Sequence, residues 1–99
     1  MKVFFLADAE IEHLRQVAYY ESKQPGLGAR YLAEVEQAIA RICAAPERNP
    51  IALSPNLRRL VLAIFPFTVY YRDTGDAIYI AAIAAHRRRP EYWRDRIKY

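Results

Sequence analysis

The feature that most constrains this chain is a pair of helix-periodic stretches separated by the short break Gln24-Pro25-Gly26-Leu27-Gly28. From Ala9 to about Ser22, Ile11, Leu14, Val17 and Ala18 recur at helical spacing with Glu10, Glu12, Arg15 and Gln16 between them, which predicts an amphipathic helix with one buried face. Proline cannot continue the hydrogen-bond ladder and glycine accommodates the turn, so the helix ends there. A second stretch, from about Ala29 to Ala45, carries Leu32, Val35, Ile39 and Ile42 on one stripe, with Arg30, Glu34, Glu36 and Arg41 off it. Two helices joined by so few residues run antiparallel, and the prediction is a helical hairpin.

The flanks differ in character. Val3-Phe4-Phe5-Leu6 is a short β-prone run ending near Asp8, an acceptable helix N-cap, so an opening strand is expected. Prolines 46, 50 and 55 with Asn49, Ser54 and Asn56 predict an irregular loop. Beyond Leu57, the segments 58–64, 65–72 and 77–85 are rich in Val, Ile, Phe and Tyr, and Asp73-Thr74-Gly75-Asp76 separates the last two as a hairpin turn. Pro66 cannot donate to a ladder, so its strand should start late, bulge or lie at an edge. The expected fold is α+β, in the order β-α-α-β-β-β, with the helical hairpin packed on a mostly antiparallel four-stranded sheet. Ninety-nine residues suffice for one core, and residues 1–99 are read as a single domain.

Composition narrows the class. Apolar residues make up 54% and charged residues 26%, the balance of a folded protein. Cys43 is the one cysteine and sits among apolar neighbours, which suits a buried small hydrophobe and leaves no disulfide or multi-cysteine zinc site. Neither cofactor nor metal is expected. The opening apolar run meets Asp8 before it could serve as a signal-peptide core, and no stretch approaches the ~18 apolar residues of a membrane helix. A cytoplasmic protein with no membrane partner is expected.

Charge is concentrated at one end. Residues 1–85 hold nine basic and nine acidic side chains, whereas residues 86–99 hold Arg87, Arg88, Arg89, Arg94, Arg96 and Lys98 against Glu91 and Asp95, so the whole net charge of +4 lies there. Arginine outnumbers lysine twelve to three, and its fork suits bidentate contacts to phosphate or carboxylate. The partner of that end is expected to be anionic.

Four patches carry a family resemblance that spans nearly the whole chain. They are residues 9–20 with their closing aromatic pair; Gly28-Ala29-Arg30-Tyr31-Leu32 with Glu34 and Val35; Arg58-Arg59 through Phe65-Pro66-Phe67 with Val69 and Tyr71; and residues 80–85 followed by His86, Arg88, Arg89, Pro90, Tyr92, Trp93 and Arg96. In order and spacing the chain resembles the ParE/RelE superfamily of type II toxin–antitoxin systems, and is closer to ParE. The resemblance implies a growth-arresting toxin neutralised by a cognate ParD-like antitoxin. It implies DNA gyrase as the target of a ParE-like member; the alternative is a RelE-like endoribonuclease that cuts mRNA on the ribosome.

The two chemistries make different demands. Cleavage through a ribose 2′-hydroxyl needs a base, an acid and cations around the phosphate. His86 is the candidate acid or base, Arg58 or Arg59 the phosphate clamp and Tyr92 a base-stacking ring. The lysines that a RelE-like set usually carries in the middle strands are missing, since lysine stands only at 2, 23 and 98. A gyrase poison needs no acid or base, only a binding surface. The reading is therefore a non-enzymatic toxin whose target- or partner-binding residues are Arg59, Arg87, Arg88, Arg89, Trp93, Arg94 and Arg96. Tyr92 and Trp93 are expected to pin the C-terminal stretch to the sheet. Leu14, Tyr19, Tyr20 and Tyr31 are the candidate antitoxin anchors, and His13 is read as a surface residue without a role.

Overall fold

The computed structural model describes residues 1–97; Lys98, one of the six basic groups counted near the C-terminus, lies outside the described residues. Strand β1 (Lys2–Phe5) leads into helix α1 (Ala7–Lys23), which turns back as α2 (Leu27–Ala44). A 3₁₀ turn at Pro46–Arg48 precedes four strands, β2 (Ile51–Leu53), β3 (Leu57–Val61), β4 (Phe67–Asp73) and β5 (Ala77–Ala85), and a second 3₁₀ turn follows at Arg94–Arg96. The strands form one sheet in the order β1-β5-β4-β3-β2, in which β1 pairs parallel to β5 and every other pairing is antiparallel.

The α+β class and the element order hold, with two corrections. The sheet has five strands rather than four, because Ile51–Leu53 pairs with Leu57 and Arg58 inside the segment expected to be loop. That strand is three residues long and flanked by Pro50 and Pro55, too short for its alternation to stand out. Asp8 is not the N-cap of α1. Leu6 occupies that position, and Asp8 lies in the first turn, where its carboxylate complements the helix dipole. Pro66 acts as expected, since β4 begins one residue after it.

Both helices press one sheet face. The stripe of α2 is Tyr31, Val35, Ala38 and Ile42, all fully buried against Val69, Tyr71, Ile78, Ile80 and Ile83, with Leu32 and Ile39 half-buried beside it. Cys43 is also half-buried and packs on this core. The two helices come into backbone contact at Gly28, where an added Cβ would lie 2.7 Å from the Val17 carbonyl oxygen. The Glu21 carboxylate on α1 accepts the N–H groups of Gly26 (3.0 Å) and Gly28 (3.1 Å), so the start of α2 is capped from its neighbour.

Helix α1 presents a different face from the expected one. Ile11 and Leu14 are exposed, at 48% and 60%, and Ala9, His13, Val17 and Tyr20 turn inward, with Glu12 and Gln16 half-buried alongside. His13 is therefore not a surface residue; its ring packs 5.5 Å from Phe5 and 5.9 Å from Tyr31. The cause lies in the sheet. Strand β1 stops at Phe5 while β5 runs on to Ala85, which leaves backbone polar groups of β5 without a strand partner. Glu12 accepts the Ile83 N–H at 3.0 Å, the Gln16 amide donates to the Ile83 carbonyl at 3.0 Å, and Arg96 donates to the Ala81 carbonyl at 3.2 Å. Polar side chains of α1 face inward because they close that edge.

A bulge at Ala81, where Tyr70 pairs with Ala82 but Tyr71 with Ile80, shifts the phase of β5. Ile78, Ile80 and Ile83 thus all face the helices, and Ala82 and Ala84 face the opposite side. On that side the small alanines leave a shallow surface which Trp93, 2% exposed, covers with its ring 4.3 Å from Tyr70. Residues 86–97 form an arm folded back onto the sheet face that carries no helix.

Candidate functional site

The arm and α1 wall a groove of about 700 Å³, lined by Ile11, Glu12, Arg15, Tyr19, Tyr20, Phe67, His86, Arg87, Arg88 and Arg96 among others. A second, smaller hollow of about 300 Å³ lies on the helix-free face between Thr68, Tyr70, His86, Arg88, Arg89 and Trp93. Arg88 stands on the ridge between them.

One carboxylate organises the groove floor. Glu12 takes the Ile83 N–H and, through Oε1, Arg96 Nη1 at 3.2 Å, while its Oε2 accepts the Tyr92 phenol. The Glu12 side chain is only 9% exposed and that of Arg96 18%, so the pair is shielded from solvent. Burial and the hydrogen bond to Glu12 push the Tyr92 phenol well above the usual tyrosine range, which keeps it protonated as a donor. On the outer side of Tyr92, the Arg88 guanidinium sits 3.9 Å from the ring centroid.

The residues singled out from sequence fall into three groups. Arg59, Arg87, Arg88, Arg89 and Arg94 are exposed, Arg94 pairing with Glu91, and Arg59 lies directly across from Tyr70 on the helix-free face. Trp93 and Arg96 are not free surface: the first is buried against Tyr70, the second anchors the arm through Glu12 and the Ala81 carbonyl. Arg58 points to the helix side, where its guanidinium donates to the carbonyls of Asn49 (2.5 Å) and Glu47 (3.2 Å) and ties down the loop before β2.

His86 follows β5, with Nε2 3.0 Å from Thr68 Oγ1 on the helix-free side. Of the trio considered for a nuclease, His86 and Tyr92 line the same hollow with Arg88 and Arg89, and Arg58 lies apart from them. Arg58 is committed on one face, His86 stands on the other beside a neutral hydroxyl, and the Tyr92 phenol is bound to Glu12.

Of the expected antitoxin anchors, Leu14 (60%) and Tyr19 (48%) are exposed and Tyr20 is half-buried against Phe65. Tyr31 is fully buried, with its hydroxyl donating to Gln16, and is a core residue. Sequence reasoning missed Glu12, Gln16, Ile11 and Arg15. The i, i+4 spacing of Glu12 and Gln16 puts both on one helix face and was the available signal.

A small α+β unit with a helical hairpin on one sheet face and an arginine-bearing arm on the other is the class these observations define. The family model for the ParE toxin of the type II toxin–antitoxin system, parDE, matches residues 3–90, and the chain belongs to that family. It is 28% identical over 74 residues to "Putative toxin Y4kP" of Sinorhizobium fredii, covering 75% of this chain and 77% of that protein. Its fold is similar to a chain of the solved chromosomal ParDE TA system from P. aeruginosa, with a TM-score of 0.73 at 17% identity over 86% of this chain and 95% of that one. Among the described residues, no helix is long and apolar enough to cross a membrane.

Proposed function

We propose that residues 1–99 act as one toxin unit in the cytoplasm that arrests growth by binding and poisoning DNA gyrase, and that a cognate ParD-like antitoxin neutralises it. The observation that carries this reading is the division of labour at the arm: Trp93, Tyr92 and Arg96 anchor it, and Arg87, Arg88 and Arg89 are presented outward. A poison of this kind works by occupying a surface, and a rigid scaffold offering guanidinium groups suits a phosphate- or carboxylate-bearing target. The ribonuclease alternative is disfavoured by the commitment of Arg58 to the Asn49 and Glu47 carbonyls and of the Tyr92 phenol to Glu12.

The groove between α1 and the arm suits the antitoxin. Ile11 and Tyr19 offer apolar contact, and Arg15, Arg87 and Arg88 offer charge to an acidic-apolar segment. Induction of the toxin in bacterial cells is expected to stop growth, and co-expression of the protein encoded beside it to restore growth. Ile11→Glu and Arg15→Glu should weaken that rescue while leaving toxicity intact. Ribosome-dependent mRNA cleavage that disappears with His86→Ala would overturn the proposal.

A further inference from the structure

Arg88 is the one arginine that lines both the groove beside α1 and the hollow on the helix-free face. It enters none of the ion pairs formed among the described residues, and its contact is with the Tyr92 ring at 3.9 Å. A solvent-exposed arginine samples many rotamers and loses that freedom when it binds an anion. Holding the guanidinium over a fixed aromatic face removes part of that loss in advance. The aromatic face is itself fixed, since the Tyr92 phenol donates to Glu12, and Glu12 is held by the Ile83 N–H and by Arg96. A phenol bound to a carboxylate also carries more electron density on its ring, which strengthens the pull on a cation.

We propose that Glu12 is a positioning residue for Arg88, acting through Tyr92, so that a buried carboxylate on α1 aims the guanidinium with which the arm meets an anionic group of its target. The inference rests on the reading of the arm as the target-binding surface. Glu12 does not itself touch the target; it sets the ring on which Arg88 lies.

The test is a double-mutant cycle on gyrase supercoiling combined with proton NMR of the free toxin. Arg88→Ala, Glu12→Gln and the double variant are compared by the concentration giving half-inhibition, with Trp93 emission confirming that the arm remains docked. Glu12→Gln is expected to weaken inhibition about two- to fivefold, the worth of one cation–π contact, and to add nothing once Arg88 is alanine. The ring-current shift of the Arg88 side-chain protons should shrink in Glu12→Gln. Tyr92→Phe keeps the ring and removes only the phenol, and carries the same expectation if the glutamine variant fails to fold. Effects that multiply in the double variant, or an unchanged Arg88 shift, would overturn the inference. If the wild-type toxin leaves gyrase unaffected, the proposed target falls, and the NMR arm still decides whether Glu12 places Arg88.

Discussion

Arg96 and Glu12 stand 84 positions apart in the sequence and meet with Nη1 3.2 Å from Oε1, joining the 3₁₀ turn of the arm to the first helix. The same carboxylate holds the Ile83 N–H and the Tyr92 phenol, so α1, β5 and the arm share one polar junction.

Removing that carboxylate should be costly. Glu12→Ala leaves the Tyr92 phenol and the Ile83 amide without their acceptor and takes from Arg96 its shielded carboxylate partner, leaving the Ala81 carbonyl, and breaking a buried pair from one side costs about 3 kcal/mol or more. The expected result is a lower denaturant midpoint together with a red shift of Trp93, the single tryptophan of the chain, as the arm releases. An unchanged midpoint would remove Glu12 from its structural role.

The helical hairpin gives a second prediction. At Gly28 a methyl group would meet the Val17 carbonyl oxygen at 2.7 Å and the Glu21 Cβ at 2.9 Å, so Gly28→Ala forces the helices apart. Overpacking of this kind costs about 1–3 kcal/mol, more than the helix propensity gained from alanine. Thermal unfolding of the variant is the check.

The buried His13 makes stability depend on pH. Burial holds its imidazole below the ordinary 6.5, against smaller opposing effects of Glu36 and Glu10, and its Nδ1 has no hydrogen-bond partner. The unfolded chain therefore binds a proton that the folded chain resists. The contribution is complete above about 6.5 and declines as the pH falls below that value toward the depressed folded pKa. Urea midpoints measured from about pH 8 down to about pH 5 should fall for the wild type, and His13→Leu should flatten that slope.

Arg58 tests whether an arginine bound within the fold is separable from those proposed to meet the target. Its two bonds to backbone carbonyls hold the loop before β2, so Arg58→Ala should cost about 1.5–3 kcal/mol, the range for hydrogen bonds to a charged group. Inhibition of the target per folded molecule should stay at the wild-type level. Loss of inhibition with unchanged stability would instead add Arg58 to the binding surface.

The periodicity of α2, the late start of β4 after Pro66 and the turn before β5 were legible because local chemistry decides each of them. The face of α1 was not. Its apolar stripe, Ile11 and Leu14, faces outward because Glu12 and Gln16 are needed at the unpaired edge of β5, a requirement set by residues some seventy positions away. The short β2 escaped notice for a related reason: its pairing with β3 outweighs the prolines beside it. The concentration of charge in the arm was readable. Which of its arginines anchor and which face outward was not, since that depends on the seat of Trp93 and on Glu12.

The most direct measurement compares DNA gyrase supercoiling with translation-coupled mRNA cleavage in the presence of the purified toxin. Supercoiling is expected to be inhibited or cleaved DNA to accumulate, RNA to stay intact, and Arg88→Ala to weaken the effect. Intact gyrase activity alongside mRNA cut on the ribosome, with cutting lost in His86→Ala, would contradict it.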